Sequence, residues 1–425
     1  MSFNIKIKKI WWAVKLFFAK FYYGNPSKKL KIVGVTGTNG KTTTVTLLYQ
    51  VALALGYKAG LISTVEILNN GEKIDLQKRK IPGTTPDSVS LTKLFSEMAK
   101  AGCEYVFMEV SSHAMDQNRV AGVKFTGGIF TNLTEDHLDY HKDFADYFLA
   151  KRKFFDMLPK NVFALSNDDD EKGEAIVAGT KASVYFYSLS STEPTCHAYE
   201  KEGFCGHILK MDFSGLEIGV GKNIVKSKLL GKFNAYNLMA VWGACKLLGF
   251  DMEKVKKAIE NVKPPTGRFD YYIAKDGVMA VVDYAHTPDA LLKILTAVRE
   301  IVPEGKKLIS VFGCGGDRDP FKRPKMGKIG AELSDIAIFT SDNPRSEDPK
   351  KIIDMMQTDL SEEDKNKIKI ISDRREAIKE SVKIAQAGDI ILCAGKGHED
   401  YQEIKGVKIH FNDIEEFGKL LEKAK

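Results

Sequence analysis

The chain has few cysteines, and none of them are paired at metal-binding spacing. Its 425 residues include six cysteines, and no two of these are separated by only two residues. Structural zinc sites and disulfide-rich secreted domains both depend on closely spaced cysteines. We therefore expect reduced, mostly structural thiols and a cytoplasmic location.

An apolar run long enough to cross a membrane is also missing. The segment from Ile10 to Tyr23 is rich in aromatic residues, but it is short for a membrane span and is interrupted by Lys15 and Lys20. No small-residue cleavage site follows it, so we do not expect a secretory signal peptide.

The same segment would be amphipathic as a helix. One stripe would hold Ile10, Val14, Phe17 and Phe21, with the neighbouring lysines away from it. Such a helix suits peripheral contact of residues 8–23 with an anionic membrane, at its inner face. The alternative is a helix that docks on the protein itself or on a partner.

Basic tracts with interleaved aromatic residues do not recur along the body of the chain, and it contains no internal repeat and no low-complexity segment. The balance of 63 Lys and Arg against 56 Asp and Glu gives a net charge of +7. This excess suits an anionic small substrate, whereas the missing tracts argue against nucleic-acid binding.

The most informative segment that is present is a glycine loop between an apolar strand and a helix. Gly37 and Gly40 allow a tight turn whose N–H groups point at phosphate oxygens, and the helix that follows adds partial positive charge. Lys41 would contact the outer phosphates, and Thr42 would bind magnesium. The standard motif has another glycine where Val35 stands, so an ordinary strand–turn–helix junction is the alternative.

Strand-like apolar runs alternate with helical stretches, which is typical of an α/β protein with a mostly parallel sheet. Short alternating segments over residues 181–230 predict an antiparallel β insert, and a helix is predicted at 234–248. The break at 263–268, with two prolines and a glycine, predicts a linker. The predicted strands are 59–65, 105–110, 128–132 and 162–167 before the linker, and 278–283, 307–312, 336–340, 368–371 and 389–393 after it.

This pattern predicts three parts. A basic aromatic segment occupies residues 1–30, and a central P-loop ATPase domain occupies 31–262. A Rossmann-like α/β domain follows at 263–425 and ends in a surface helix at 415–425. The length of the chain is consistent with this division, at roughly 150 residues a domain.

Two polar clusters follow predicted strands, where an open parallel sheet places its ligands. Glu109 ends one strand and is suitably placed to bind magnesium. The segment 132–141 holds two histidines and three carboxylates, with His137 nearest the strand end. Its spacing fits no common zinc site but is consistent with the rim of a magnesium–phosphate site. The alternative is a solvated acidic loop.

Taken together, eight motifs in order resemble those of the Mur ligase family, over about residues 31–413. The resemblance is greatest to the branch that adds the third residue to UDP-N-acetylmuramoyl-L-alanyl-D-glutamate. The motifs are TGTNGKTT (36–43), EVSSH (109–113), NLTEDHLDYH (132–141), GKFNAYN (231–237), DYAHTP (283–288), GCGGDRD (313–319), DNPR (342–345) and GKGHED (395–400).

The resemblance implies an ATP-dependent ligase of cell-wall peptidoglycan precursors. Such enzymes phosphorylate a substrate carboxylate and let an amine attack the acyl phosphate, so cations must neutralise two anions. The family uses a carbamylated lysine in a Tyr-x-x-Ala-Lys pattern, matched here at Lys151. Thr42, Glu109, His137 and the carbamate of Lys151 would then hold Mg²⁺, and Lys41 would complete the catalytic group.

The resemblance also assigns three binding sets. A muramoyl-dipeptide acceptor would contact Thr84, Thr85, Ser111 and Arg119. The incoming amino acid would be meso-diaminopimelate, since the arginine of Asp-Asn-Pro-Arg suits its distal carboxylate. Its set is Arg318, Asp342, Asn343, Arg345, Gly395 and Glu399. ATP would contact Gly37, Thr38, Asn39, Gly40, Lys41, Thr42, Thr43, Asn234, Asn237, Arg268, Asp283 and His286.

The sequence departs from the family in two places. About thirty residues precede the glycine-loop strand, too few for the usual uridine-diphosphate-binding domain, so we expect a lipid-linked or membrane-proximal acceptor. Pro320 and Phe321 also stand where the family often has Lys-Gly, which puts that loop's shape in doubt. The alternatives are a ligase for lysine, pseudomurein peptide or folylpolyglutamate, or a non-catalytic nucleotide-binding module at the membrane. We expect a monomer.

Overall fold

The computed structural model describes residues 18, 21–75, 84–136, 140–189, 203–212 and 214–423. Two compact units divide the chain, Met1–Lys263 and Pro264–Lys425. Within these described ranges, no helix is both long and apolar enough to span a membrane. The predicted amphipathic stripe of residues 10, 14 and 17 lies outside them.

The first unit is built on an eleven-stranded sheet in its described part, with the order β11-β10-β9-β8-β7-β6-β1-β5-β2-β3-β4. Its strands are β1 Lys31–Thr36, β2 Ala59–Ile62, β3 Ile67–Asn69, β4 Glu72–Lys73, β5 Tyr105–Glu109, β6 Phe125–Phe130, β7 Phe163–Asn167, β8 Ser183–Leu189, β9 Gly203–Asp212, β10 Gly215–Val220 and β11 Asn223–Ser227. A 3₁₀ helix at Pro26–Lys29 precedes helices α1 Lys41–Ala54, α2 Ser88–Lys100, α3 Ser112–Asp116, α4 Phe144–Asp156, α5 Gly173–Val177, α6 Lys232–Leu247 and α7 Met252–Ile259.

Strand β1 is apolar on both faces because helices cover both sides of the sheet. Val33 and Val35 belong to one buried cluster with residues of α1 and α6, and Ile32 belongs to the other with residues of α2 and α4. Gly34 faces the second cluster, where an added Cβ would come within 2.6 Å of the Phe154 ring. These contacts fix the strand that carries the glycine loop.

The predicted antiparallel insert is only partly correct. Strand β8 pairs parallel with β7, and β9 pairs parallel with β8, so both continue the main sheet. Only β9, β10 and β11 form an antiparallel meander. Residues 190–202 separate β8 from β9, which is the length that a parallel connection needs. Alternation of apolar and polar residues predicts strands, but it does not predict which strands pair or in which direction.

The second unit holds a six-stranded sheet in the order β12-β13-β17-β14-β15-β16, parallel except for β12. This confirms the predicted α/β class. Its strands are β12 Asp270–Ile273, β13 Met279–Asp283, β14 Leu308–Phe312, β15 Ile336–Phe339, β16 Ile368–Ile370 and β17 Ile390–Ala394, with a hairpin of β18 Tyr401–Ile404 and β19 Val407–His410. Its helices are α8 Pro288–Arg299, α9 Lys322–Leu333, α10 Pro349–Met356, α11 Glu362–Lys365, α12 Arg374–Ile384 and α13 Asp413–Lys423.

A buried ion pair holds the carboxyl edge of this second sheet. Arg374, the first residue of α12, donates to both carboxylate oxygens of Asp413 at 2.9 and 2.7 Å, and both side chains have no exposed surface. Its guanidinium also donates to the carbonyl of Ala394 at 3.0 Å. The pair therefore joins α12, α13 and the end of β17.

The thiols are not all reduced as expected. Cys103, Cys245, Cys314 and Cys393 are free and buried. Cys205, in β9, is disulfide-bonded, so the expectation is wrong at that position.

Candidate active site

The glycine loop lies at the carboxyl end of β1 and requires glycine at two positions. Gly37 and Gly40 have φ angles of 150° and 83°, which L-residues with side chains rarely adopt. A Cβ on Gly37 would collide with the Thr131 hydroxyl, and one on Gly40 would lie 2.5 Å from Asn237 Oδ1. Helix α1 then begins at Lys41 and directs its N-terminus at the loop.

The segment after β6 holds the loop backbone in place. The Thr38 N–H donates to the Asn132 carbonyl at 2.8 Å, and the Asn39 N–H donates to Asn132 Oδ1 at 2.9 Å. The Thr131 hydroxyl donates to the Asn39 carbonyl at 2.6 Å. Because both segments follow adjacent parallel strands, the loop shape is set by the sheet and is suitable for holding phosphates.

Two lysines converge on the same loop. Lys41 Nζ donates to the carbonyls of Gly37 and Thr38 at 2.9 and 2.7 Å, and Lys151 Nζ donates to Gly37 at 2.6 Å. Lys151 is buried in α4, with 1 % of its surface exposed. Burial, with a smaller contribution from the Lys41 charge, lowers the pKa of Lys151 well below its usual value. Its neutral amine is therefore favoured more than that of a surface lysine.

Glu109 ends β5 and is surrounded by hydroxyl and amide donors. Thr42 Oγ1 donates to its Oε1 at 2.9 Å, and Thr64 donates to it through its amide at 2.7 Å and through its hydroxyl at 3.1 Å. A buried carboxylate beside a threonine hydroxyl is an oxygen donor set of the kind that suits Mg²⁺, so the residues present fit this ion. His137 lies outside the described residues.

No cluster of three or more His, Cys, Asp or Glu side chains that could hold a metal is found within the described ranges. The predicted magnesium ligands are instead the Thr42 hydroxyl, the Glu109 carboxylate, Lys151 as a carbamate, and His137, which lies outside the described residues. Thr64 was missed by the sequence analysis. It follows β2, which lies beside β5 in the sheet, and no motif marks it.

Three of the four predicted acceptor residues form one hydrogen-bonded group beside Glu109. Thr85 Oγ1 donates to the Glu109 carbonyl at 2.9 Å and accepts from the Ser111 N–H at 3.1 Å. Arg119 donates to the Thr85 carbonyl at 2.7 Å. Thr84 is half-buried and adjacent in sequence. The predicted acceptor residues thus lie next to the predicted magnesium ligand.

A buried histidine that the sequence analysis left unassigned links two helices at this site. His141 contacts the Ser112 hydroxyl of α3 through Nε2 at 3.0 Å and Asp146 of α4 through Nδ1 at 3.2 Å. Tyr147 packs against the imidazole and shares a 3.1 Å hydrogen bond with the Thr38 hydroxyl. This side of the site is therefore a connected polar network.

The predicted nucleotide residues of the first unit are buried together. Asn237 accepts a 3.4 Å hydrogen bond from Thr44 and donates to Asn234 at 3.1 Å. Thr43 lies in the first turn of α1 and is also buried. The two asparagines thus pack α6 against the glycine-loop helix.

The remaining predicted nucleotide residues lie in the second unit. Asp283 accepts from the N–H groups of Phe269 and Ala285, each at 2.8 Å, and burial raises its pKa against the opposing Arg268 charge. The Arg268 guanidinium lies 4.8 Å from the Tyr284 ring centroid. The exposed His286 contacts the Tyr284 carbonyl at 2.9 Å.

The predicted amino-acid residues follow strands β14, β15 and β17 of this second unit. Asn343 Nδ2 donates to Glu399 Oε2 at 2.8 Å, and Arg345 donates to the Gly316 carbonyl at 2.7 Å. Burial raises the pKa of Asp342, and a Cβ on Gly395 would lie 3.1 Å from Asp342 Oδ2. The structure brings these five residues to one edge of the sheet.

The loop after β14 carries Arg318, which is exposed. Its unusual Pro320-Phe321 pair forms a turn into α9, with the Phe321 N–H donating to Asp319 at 2.9 Å and the Arg323 N–H donating to the Pro320 carbonyl at 3.1 Å. The pair is thus compatible with an ordinary helix start, and it leaves the Phe321 ring 81 % exposed.

Two protein-family models match this chain. The Mur ligase middle domain matches residues 35–245, and the Mur ligase, glutamate ligase domain matches residues 267–397. The UDP-N-acetylmuramoyl-L-alanyl-D-glutamate--2,6-diaminopimelate ligase of Bacteroides fragilis is 50% identical over 397 residues, which cover 93% of this chain and 79% of that protein.

Solved structures agree with this assignment. A structure of a UDP-N-acetylmuramoyl-L-alanyl-D-glutamate--2,6-diaminopimelate ligase superposes with a TM-score of 0.65 at 33% identity, covering 93% of this chain and 79% of the other. Folylpolyglutamate synthase of Mycobacterium tuberculosis, with a TM-score of 0.68 at 15% identity, covers 90% of this chain and 92% of that one and shows the fold alone. The chain belongs to the Mur ligase family.

Proposed function

We propose that the protein joins meso-diaminopimelate to a muramoyl-L-alanyl-D-glutamate acceptor in an ATP-dependent reaction. The relatives that it resembles are named as ligases of UDP-N-acetylmuramoyl-L-alanyl-D-glutamate and 2,6-diaminopimelate. The observation that carries this proposal is Arg345. Its backbone is held by hydrogen bonds with Glu403 and Lys405, and its guanidinium donates to the Gly316 carbonyl at 2.7 Å and lies 3.8 Å from the Glu403 carboxylate. A fixed guanidinium of this kind suits the distal carboxylate that distinguishes diaminopimelate from lysine.

The chain's own residues support the ligase chemistry. The glycine loop and Lys41 bind the triphosphate, and Thr42 with Glu109 would hold Mg²⁺. That ion would neutralise charge between the phosphates and the acceptor carboxylate. Thr85, Ser111 and Arg119 orient the acceptor next to Glu109. Helix α4 excludes water from the back of the loop, because Tyr147 and Lys151 are both buried against it.

Lys151 is proposed to act as a carbamate. A buried ammonium repels magnesium, whereas a carbamate presents oxygens to it, and only a neutral amine reacts with carbon dioxide. The lowered pKa of Lys151 favours that neutral amine. The 2.6 Å hydrogen bond from its Nζ to the carbonyl of Gly37 supports a role for such a group at the glycine loop.

The amino-acid assignment predicts a selective defect in Arg345→Ala. We expect kcat/KM for meso-diaminopimelate to fall by about 10²-fold, because a charge-assisted bidentate contact is lost, while the KM for ATP changes by less than about threefold. Steady-state release of phosphate with each substrate varied in turn measures both. Arg299→Ala, on the same domain but paired with Asp335 at 2.9 Å, is the matched control. An equal loss of diaminopimelate and ATP use would contradict the assignment.

We further propose that the protein acts in the cytoplasm as a monomer and contacts the membrane surface through residues 8–23. Support comes from Phe21 and Tyr22, which are 85 % and 81 % exposed, in a segment that also carries lysines. Exposed aromatic rings next to basic residues suit an anionic bilayer. Such contact would bring a lipid-linked acceptor within reach.

Membrane contact predicts that Phe21→Ser with Tyr22→Ser weakens binding to phosphatidylglycerol vesicles by about tenfold, since two apolar side chains leave the interface. Co-sedimentation of the full chain measures the change. Ile224→Ser, which removes an exposed apolar residue from β11, should leave binding unaltered. Wild-type protein that fails to bind these vesicles would rule out the contact.

A further inference from the structure

Among the lysines whose burial the structure describes, only Lys151 and Lys396 are buried, and Lys396 has no exposed side-chain surface. Lys151 lies at the glycine loop. Lys396 lies in the second unit, in the turn between Gly395 and Gly397, whose positive φ angles of 115° and 53° shape that turn. An ammonium group is removed from water only at considerable cost, so its partners indicate what it does.

The partners of Lys396 are groups proposed to bind the amino acid. Its Nζ lies 3.1 Å from Glu399 Oε2, donates to Asn343 Oδ1 at 3.2 Å and lies 3.9 Å from Asp342 Oδ1. Asn343 Nδ2 donates to the same Glu399 oxygen at 2.8 Å. The three side chains therefore close a triangle with the ammonium at one corner.

This triangle fixes two orientations that would otherwise be free. The amide of Asn343 must turn its oxygen toward Lys396, because that oxygen also accepts from the Glu403 N–H at 2.9 Å. Both donors to Glu399 engage Oε2, so Oε1 takes no part in the triangle. Glu399 keeps 19 % of its side chain exposed and Arg345 keeps 21 %, whereas Lys396 has none. Lys396 is thus behind the surface that a ligand would touch.

We propose that Lys396 is a positioning residue that sets selectivity for the distal end of diaminopimelate. It acts by holding Glu399 and Asn343 in one arrangement relative to Arg345, and it does not contact the substrate. The distal end presents an ammonium and a carboxylate on one carbon. Inverting that centre exchanges the two groups, so a fixed carboxylate and a fixed guanidinium separate the meso form from the LL form. This inference rests on the proposed function.

The test is Lys396→Met, which keeps the length of the side chain and removes its charge. We expect the KM for meso-diaminopimelate to rise by about tenfold and the preference for meso over LL forms to fall by a similar factor, with the KM for ATP changed less than about twofold. Lys351→Met, an exposed lysine on α10, is the matched control and should leave all three values unchanged. Circular dichroism and thermal melting check that each variant is folded.

Lys396→Gln, which keeps a hydrogen-bond donor, serves as the second variant and should show an intermediate KM. A folded Lys396→Met enzyme with wild-type KM and wild-type stereochemical preference overturns the inference. Loss of the fold in both variants makes Lys396 a purely structural residue and also overturns it. Wild-type protein that releases no phosphate in response to meso-diaminopimelate is a different result, because it contradicts the proposed function itself.

Discussion

Lys151→Met is expected to lower kcat by about 10²- to 10³-fold, the loss that follows removal of one preorganised charged group from a reaction centre. The substitution keeps the volume of the buried side chain, so the fold should survive. It removes the nitrogen that lies 2.6 Å from the Gly37 carbonyl and with it any carbamate. Phosphate release with ATP, acceptor and diaminopimelate all saturating measures kcat, and a melting curve verifies folding.

A control substitution and a test of carbon dioxide dependence complete this experiment. Lys153→Met, an exposed position on the same helix, should retain wild-type kcat. Wild-type activity should fall when carbon dioxide is removed from the buffer and return when bicarbonate is added, because a carbamate on a buried amine forms reversibly. A Lys151→Met enzyme with normal kcat would exclude a catalytic role for this residue.

Arg374→Ala is expected to destabilise the C-terminal unit by about 3–5 kcal/mol, because it leaves the Asp413 carboxylate buried without its partner. Burial by itself acts to lower the pKa of Arg374, and the contact with Asp413 outweighs it and raises that pKa. Each charge of the pair therefore stabilises the other. Chemical denaturation monitored by far-UV circular dichroism measures the loss of free energy of unfolding.

The next residue provides the control for this experiment. Arg375 also pairs with a carboxylate, Glu416, at 2.9 Å, but its side chain is 55 % exposed. Arg375→Ala should cost about 1 kcal/mol or less, because solvent screens the half-exposed guanidinium and Lys419 still lies 3.1 Å from the buried Glu416 carboxylate. Equal effects of the two substitutions would show that burial does not decide the value of the Arg374 pair.

The sequence predicted the fold class because buried parallel strands are continuous apolar runs. Strands β7 and β17 begin and end within a residue of their predicted bounds. Strand β6 starts at Phe125, three residues before its predicted start, because Gly127 and Gly128 interrupt its apolar pattern. These glycines make room for the rings of Phe163 and Phe154, a contact that the local sequence does not show.

Site residues that lie in motifs were predicted from the sequence. Residues that reach the site only through the order of strands in the sheet were missed. The family prediction is confirmed, and the residues assigned by its motifs remain predictions. Thr64 contacts Glu109 only because β2 lies beside β5, and Lys396 contacts Asn343 only because β17 and β15 flank β14. Adjacency of strands that are distant in sequence is decided by packing of the whole sheet.

That same strand order has a consequence for how the protein is made. Strand β17 lies between β13 and β14, although the ribosome synthesises it last of the six strands. Until Ile390–Ala394 has left the exit tunnel, the nascent domain has two half-sheets with unpaired inner edges. The six-stranded sheet can therefore close only after β17 itself has been translated, so its two halves cannot fold as one sheet while the chain is growing through α8–α12.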